Sequence, residues 1–185
     1  MELSTFQSYL LILFLLLVII AIFVFRQFIK TRQDEISLVK FEQKGIDSME
    51  SAVELYEFGS IQIKKRLYFQ ATQTFLKAIK YYDNEPDEAK AIIQNALGFA
   101  YAAQKEFKKA ITHYKYAINS LPDYIVALNN LASAKQNLLE YDDAFNTYQK
   151  VLAIDPKNKT ALKKTKELNK RINYKPFTEI NNKGF

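Results

Sequence analysis

Ala91-Ile-Ile-Gln-Asn-Ala-Leu97-Gly98-Phe-Ala-Tyr101 … Phe107-Lys-Lys-Ala110 … Tyr114-Lys-Tyr-Ala117 … Pro122 is followed by Ile125-Val-Ala-Leu128-Asn-Asn-Leu131-Ala132 … Tyr141-Asp-Asp-Ala144 … Tyr148-Gln-Lys-Val151 … Pro156. The second stretch repeats the first with small residues, aromatics and prolines in the same order. Ala110 to Ala144 is 34 residues, and so is Pro122 to Pro156. Upstream, Ala52-Val-Glu-Leu55-Tyr-Glu-Phe58-Gly59 … Tyr68-Phe69-Gln-Ala71 … Phe75-Leu-Lys-Ala78 is a third copy. Ala71 and Ala110 lie 39 residues apart, which is one repeat with five residues inserted around Pro86-Asp87-Glu88-Ala89-Lys90.

A 34-residue period with Leu-Gly, Tyr, Ala, aromatic, Ala and Pro at set offsets is the tetratricopeptide (TPR) pattern, two antiparallel helices per repeat. The residue types follow from the packing. Gly59, Gly98 and Ala132 on the first helices, with Ala71, Ala110 and Ala144 on the second, let two backbones approach closely. Phe75, Tyr114 and Tyr148 are expected to cover the next helix pair, while Pro122 and Pro156 stop one repeat from running into the next. Pro86 is expected in the first turn of the second repeat's first helix, with Asp87 and Glu88 favoured at that end by the helix dipole, so that helix starts a turn early. The expected fold is all-α.

Outward from the repeats, Leu3 to Phe25 carries no charge, and Leu10 to Phe25 is apolar throughout. Those 23 uncharged residues span about 34 Å as a helix, against roughly 30 Å of hydrocarbon. A cleaved signal peptide would need a basic start and a small-x-small cleavage site. Here the run is preceded by Met1-Glu2-Leu3-Ser4 and followed by Phe23-Val24-Phe25-Arg26. A retained transmembrane anchor fits better than a signal peptide or a buried core helix. Glu2 is the only charged side chain before the run, whereas Arg26, Lys30, Arg32, Lys40 and Lys44 follow it. The positive-inside rule then predicts a single pass with the C-terminal side in the cytoplasm or its equivalent.

The expected organisation is a transmembrane anchor over 1–25, a helical linker over 26–50 and three repeats over 51–158, namely 52–85, 91–124 and 125–158. A basic capping helix over 159–173 and a flexible tail over 174–185 complete it. Residues 157–185 carry a net charge of +7 and residues 26–156 a net of zero, within a total of +6. A basic helix suits an acidic partner or an anionic surface. It is more often a solvated face. Its faces lack the interleaved aromatics of a nucleic-acid stacking platform, so no nucleic-acid partner is expected.

Catalysis has little to stand on. Cysteine is absent, His113 is the sole histidine, and only 4 Gly and 4 Pro are present. That removes thiolate chemistry, Cys-based zinc and iron–sulfur sites, and leaves no phosphate-cradling loop. His113 reads as a surface or packing residue. No catalytic residue, cofactor, metal or small-molecule substrate is expected, and the chain is not expected to be an enzyme.

What remains is recognition. In such arrays the first helix of each repeat lines an inner groove. The positions not used in packing are Tyr56 and Ser60, then Asn95, Phe99 and Ala103, then Asn129, Ser133 and Asn137. Asn donates and accepts, so Asn95, Asn129 and Asn137 are expected to face solvent and hold an extended peptide. Lys163, Lys164, Lys166 and Lys170 of the basic cap are the competing contact surface. A clamp for acidic C-termini is disfavoured. Ala91 to Gln104 contains no basic residue, and Ile125 to Leu138 contains only Lys135.

The anchor running into Phe25-Arg26-Gln27 and Lys30-Thr31-Arg32, then Tyr56-Glu57-Phe58-Gly59-Ser60, the segment Asn95 to Gln104 and Ala127-Leu128-Asn129-Asn130-Leu131 together resemble one particular family. This family comprises the membrane-anchored tetratricopeptide proteins of cyanobacteria and algal plastids that assist photosystem I assembly. The resemblance covers roughly residues 9–172. It implies a thylakoid protein with a lumenal N-terminus and stromal or cytoplasmic repeats, which contacts photosystem I subunits or assembly intermediates without catalysis or cofactor. The alternative is a membrane-anchored repeat scaffold for another membrane complex or for protein translocation.

Overall fold

The computed structural model describes residues 4–172, all of whose regular structure is helical. The expectations for residues 1–3 and 173–185 lie outside the described residues. The chain divides into two compact units, up to Gly45 and from Ile46 onward.

The first unit is one helix, α1, Thr5–Lys44. Ser4 opens it with a reciprocal cap: its hydroxyl accepts from Gln7 N–H, and its own N–H donates to the Gln7 side chain. The helix runs through Phe25 and Arg26 without a break, so the apolar span and the charged stretch after it share one backbone ladder. Its apolar part is exposed to its surroundings along its length, Leu10 to Val24 included, and it is long and apolar enough to cross a membrane. Gly45 ends it at φ 77°, a conformation that disfavours any side chain, and its N–H caps the Phe41 and Glu42 carbonyls.

The second unit begins with a single 3₁₀ turn, Ile46–Ser48, whose Ile46 and Asp47 carbonyls accept from Lys77 Nζ. Seven helices follow: α2 Ala52–Lys64, α3 Tyr68–Ile79, α4 Asp87–Ala103, α5 Phe107–Ser120, α6 Ile125–Asn137, α7 Tyr141–Ile154 and α8 Lys159–Ile172. They pair as α2 with α3, α4 with α5, α6 with α7, and α8 packs on α7. The first helices also pack on one another, α2 on α4 and α4 on α6, which defines the inner face of the array.

The inserted residues lengthen α4. It spans 17 residues against 13 for α2 and α6. Pro86 stands at the N-cap rather than inside the first turn, with ψ 153° and its carbonyl accepting from Lys90 N–H. Its missing N–H is no loss at that position.

The aromatics reach the next repeat as the sequence leads one to expect, and they also cover their own. Phe75 and Tyr114 share one buried cluster with Leu97, Ala100, Leu131 and Ala134, and Tyr148 joins Ala161 and Leu168. Phe75 and Tyr114 lie on the glycine of their own repeat. A Cβ on Gly59 would stand 2.5 Å from the Phe75 ring, and one on Gly98 would stand 2.7 Å from Tyr114 and 3.2 Å from the Ala110 carbonyl oxygen. The glycines therefore make room for rings more than for backbones. Each turn between the paired helices carries a left-handed residue: Arg66 at φ 61°, Lys105 at 64° and Leu139 at 63°. All three fall seven residues after Gly59, Gly98 and Ala132, an equivalence the side chains hide.

Candidate partner-binding surface

The inner face carries the sequence-nominated residues in two rows. Tyr56, Asn95 and Asn129 occupy one position of α2, α4 and α6, and Ser60, Phe99 and Ser133 occupy the position one turn on. Tyr56 is half-buried, with its ring 6.2 Å from that of Phe75. Ser60 is also half-buried. Phe99 stays 41% exposed while its ring meets Tyr68 edge-on at 6.5 Å. It is a large apolar side chain that is exposed on the inner face yet held by its neighbour. Ala103 is exposed at the end of α4.

The three asparagines are not equivalent. Asn95 is half-buried; its Oδ1 accepts from Asn130 Nδ2 at 2.9 Å, and its side chain also hydrogen-bonds Tyr124. It ties α4 to α6 instead of standing free. Burial, then the nearby Tyr56, raises the Tyr124 phenol above its usual range, against the Asn95 hydrogen bond. Asn137 is exposed, and its Nδ2 donates to the Ser133 carbonyl of its own helix at 2.8 Å. Asn129 is half-buried, and its Oδ1 is enclosed without a hydrogen-bond partner among the described residues. An enclosed carboxamide oxygen with no donor is costly unless a donor arrives. Asn129 is thus the inner-face group with the most to gain from a peptide N–H or water. The exposed Ser133 hydroxyl hydrogen-bonds Tyr148, whose phenol is pushed up to about 12, mainly by burial.

The cap is held by its small face. Ala161, Thr165 and Leu168 are buried, and Asn158 caps the helix by accepting from Ala161 N–H. Arg171 donates to the Tyr141 hydroxyl and lies over its ring. Of the four nominated lysines, Lys163 and Lys164 pair with Glu167, while Lys166 and Lys170 point to solvent without a described partner. The Lys164 hydrogen bond holds the Glu167 carboxyl below its ordinary range.

His113 is a packing residue with a specific partner set. Its ring stacks on Tyr101 at 5.3 Å and 13°, and its Nδ1 meets Gln94 Oε1 at 2.8 Å. Gln94 Nε2 donates to the Tyr82 hydroxyl, so its oxygen is left to accept from a protonated Nδ1. Burial lowers the pKa of His113. Sequence reasoning missed Tyr124 and Asn130, whose roles depend on which helices meet. Among the described residues no group of His, Asp and Glu is placed to hold a metal ion.

The similarity to known proteins matches this architecture. The chain is 33% identical over 155 residues to "Uncharacterized protein ycf37" of Cyanophora paradoxa, covering 83% of this chain and 90% of that one. It belongs to the ycf37 family of tetratricopeptide proteins. It is also 32% identical over 183 residues to the chloroplastic tetratricopeptide repeat domain-containing protein PYG7 of Arabidopsis thaliana. That match takes in 98% of this chain but only 60% of the length of the Arabidopsis protein. Among solved structures, the first TPR domain of Spaghetti (RPAP3), bound to an HSP90 peptide, superposes with a TM-score of 0.60 at 21% identity, covering 66% of this chain and 95% of that domain. This last likeness concerns the fold. No protein-family model matches the chain. The ycf37-type chain is a tetratricopeptide protein of plastid kind, and such arrays serve protein–protein interaction.

Proposed function

We propose that this ycf37-type protein is a non-catalytic assembly factor, held in the thylakoid membrane by α1, that binds protein partners through its repeats and assists assembly of photosystem I. The observation that carries the reading is the joining of one apolar helix to a repeat array whose inner face carries an exposed Phe99 and an unanswered Asn129 oxygen, in a chain related along nearly its whole length to a chloroplastic repeat protein. The basic residues after the span favour a stromal or cytoplasmic array and a lumenal N-terminus. The exposed Phe99 and the donor-seeking Asn129 favour the inner face as the contact, with Lys166 and Lys170 of the cap as the competing surface.

The test is deletion of the gene, followed by quantification of photosystems I and II in isolated thylakoids and affinity capture with a tagged copy. Loss of photosystem I with photosystem II spared, and capture of photosystem I proteins, is the expected outcome. Unchanged photosystem I, with another membrane complex captured and depleted, would assign the chain to that complex as a scaffold instead.

A further inference from the structure

The second and third repeats share a backbone plan but differ at four positions facing away from the inner groove. Shifting by 34 residues pairs Gln94 with Leu128, Tyr101 with Lys135, His113 with Thr147 and Tyr116 with Lys150. In the second repeat these residues fill their space with rings: Tyr101 stacks on His113, His113 meets Tyr116 edge-on at 6.0 Å, and Gln94 bridges His113 to Tyr82. In the third repeat the rings are gone. In their place is a groove of about 460 Å³ between α5 and α7, across α6, within the ~300–1,000 Å³ of ordinary ligand clefts. On α6 its lining residues Leu128, Leu131 and Lys135 lie about half a turn away from Asn129, Ser133 and Asn137, by the 100° step of the helix. It is therefore a second surface, on the far side of α6 from the inner face.

Its chemistry is one-sided. Leu128 and Leu131 form a buried apolar floor, with Ile118 and Ile154 at the sides. Lys115, Lys135 and Lys150 stand around it, and no Asp or Glu lines it. Among the described residues Lys135 Nζ has only the Thr147 hydroxyl, at 3.2 Å, and Lys115 and Lys150 make no ion pair. Three cations over an apolar floor call for an anionic ligand that also brings apolar surface. Asn119, able to donate and accept, suits a peptide amide better than an acyl chain.

We propose that this outer groove docks a segment of a partner protein in which an aliphatic or aromatic side chain is flanked by carboxylates. The apolar side chain seats on Leu128 and Leu131, and the carboxylates meet Lys115, Lys135 and Lys150. The proposal is independent of which membrane complex the protein serves.

The test uses the full chain in nanodiscs of neutral lipid and two fluorescein-labelled peptides, Asp-Glu-Leu-Phe-Asp-Glu and Lys-Arg-Leu-Phe-Lys-Arg, followed by fluorescence polarisation. The acidic peptide is expected to bind at least tenfold more tightly than the basic one, and more weakly as salt rises. Lys115→Glu with Lys150→Glu should lose tenfold or more. A second variant, Lys135→Tyr with Thr147→His, restores the residues of the second repeat, so it should fold with an unchanged or higher Tm yet lose the peptide. Equal binding of the two peptides, undiminished binding to the refilled variant, or no binding of the acidic peptide up to about 1 mM overturns the proposal. So does Lys115- and Lys150-dependent binding to phosphatidylglycerol vesicles without binding of the acidic peptide, which would give the groove to lipid.

Discussion

The second and third repeats build the same helix pair from different middles. In the second, Tyr101, His113, Gln94 and Tyr116 close the space behind the first helix with stacked rings and hydrogen bonds. In the third, Leu128, Lys135, Thr147 and Lys150 leave that space open and charged. Both keep the buried pivot, Gly98 with Tyr114 in one and Ala132 with Tyr148 in the other. The packing at the pivot specifies the repeat, and the positions behind it are free to serve stability in one copy and recognition in the next.

The largest effect should come from cutting into the closed middle. Tyr101→Ala removes a buried ring and should cost about 3 kcal/mol, whereas Lys135→Ala at the matching position should change stability by less than ~1 kcal/mol. Urea unfolding of the full chain in detergent micelles measures both, and equal costs would break the contrast. Next in size is the pivot. Gly98→Ala forces a Cβ to within 2.7 Å of the Tyr114 ring and should cost about 1–3 kcal/mol. The third repeat already carries Ala132 there, and the reverse change Ala132→Gly should cost about 1 kcal/mol through lost helix propensity. A neutral Gly98→Ala would mean that the ring is free to move.

The contrast also has a pH signature. Burial lowers His113 below its ordinary 6.5, so the folded state resists its protonation. Its contribution is complete above the unfolded value and is lost as pH falls through 6.5 toward the folded value. Tm should therefore fall on acidification from pH 7, and His113→Thr, which copies the third repeat, should flatten that slope. An unaltered slope would place the titration elsewhere. The smallest effect should be the same in both repeats. Lys105→Gly and Leu139→Gly each relieve a left-handed backbone at φ near 64° and 63° and should gain about 0.5 kcal/mol.

Much of this architecture is legible because the small residues and aromatics report directly on packing. Gly98, Ala110, Tyr114 and Ala117 fix a helix pair by size alone, and the uncharged apolar run that ends at Phe25 reports a helix, α1, long and apolar enough to cross a membrane. The longer α4 is legible in Pro86-Asp87-Glu88 for the same local reason. What is less legible depends on partners distant in sequence. Asn95 and Asn129 look alike along the chain, yet one meets Asn130 across a repeat boundary, and Tyr124 at the end of its own repeat, while the other keeps an unanswered oxygen. The outer groove is written in Lys135 and Thr147, but it emerges only when the third repeat is compared with the ring-filled second. The left-handed turns fall on Arg, Lys and Leu, so no glycine announces them.

Phe99 offers the most direct test of the account. It is an exposed aromatic of the inner face, and p-benzoylphenylalanine placed there keeps an apolar aromatic ring at the same position, while its added benzoyl group forms a covalent bond on irradiation to whatever lies against it. Irradiated in intact thylakoids, the chain should cross-link at this position to a photosystem I protein or assembly intermediate, and Asn129→Ala should weaken the yield. Cross-links confined to proteins of another membrane complex, with none to photosystem I, would contradict it.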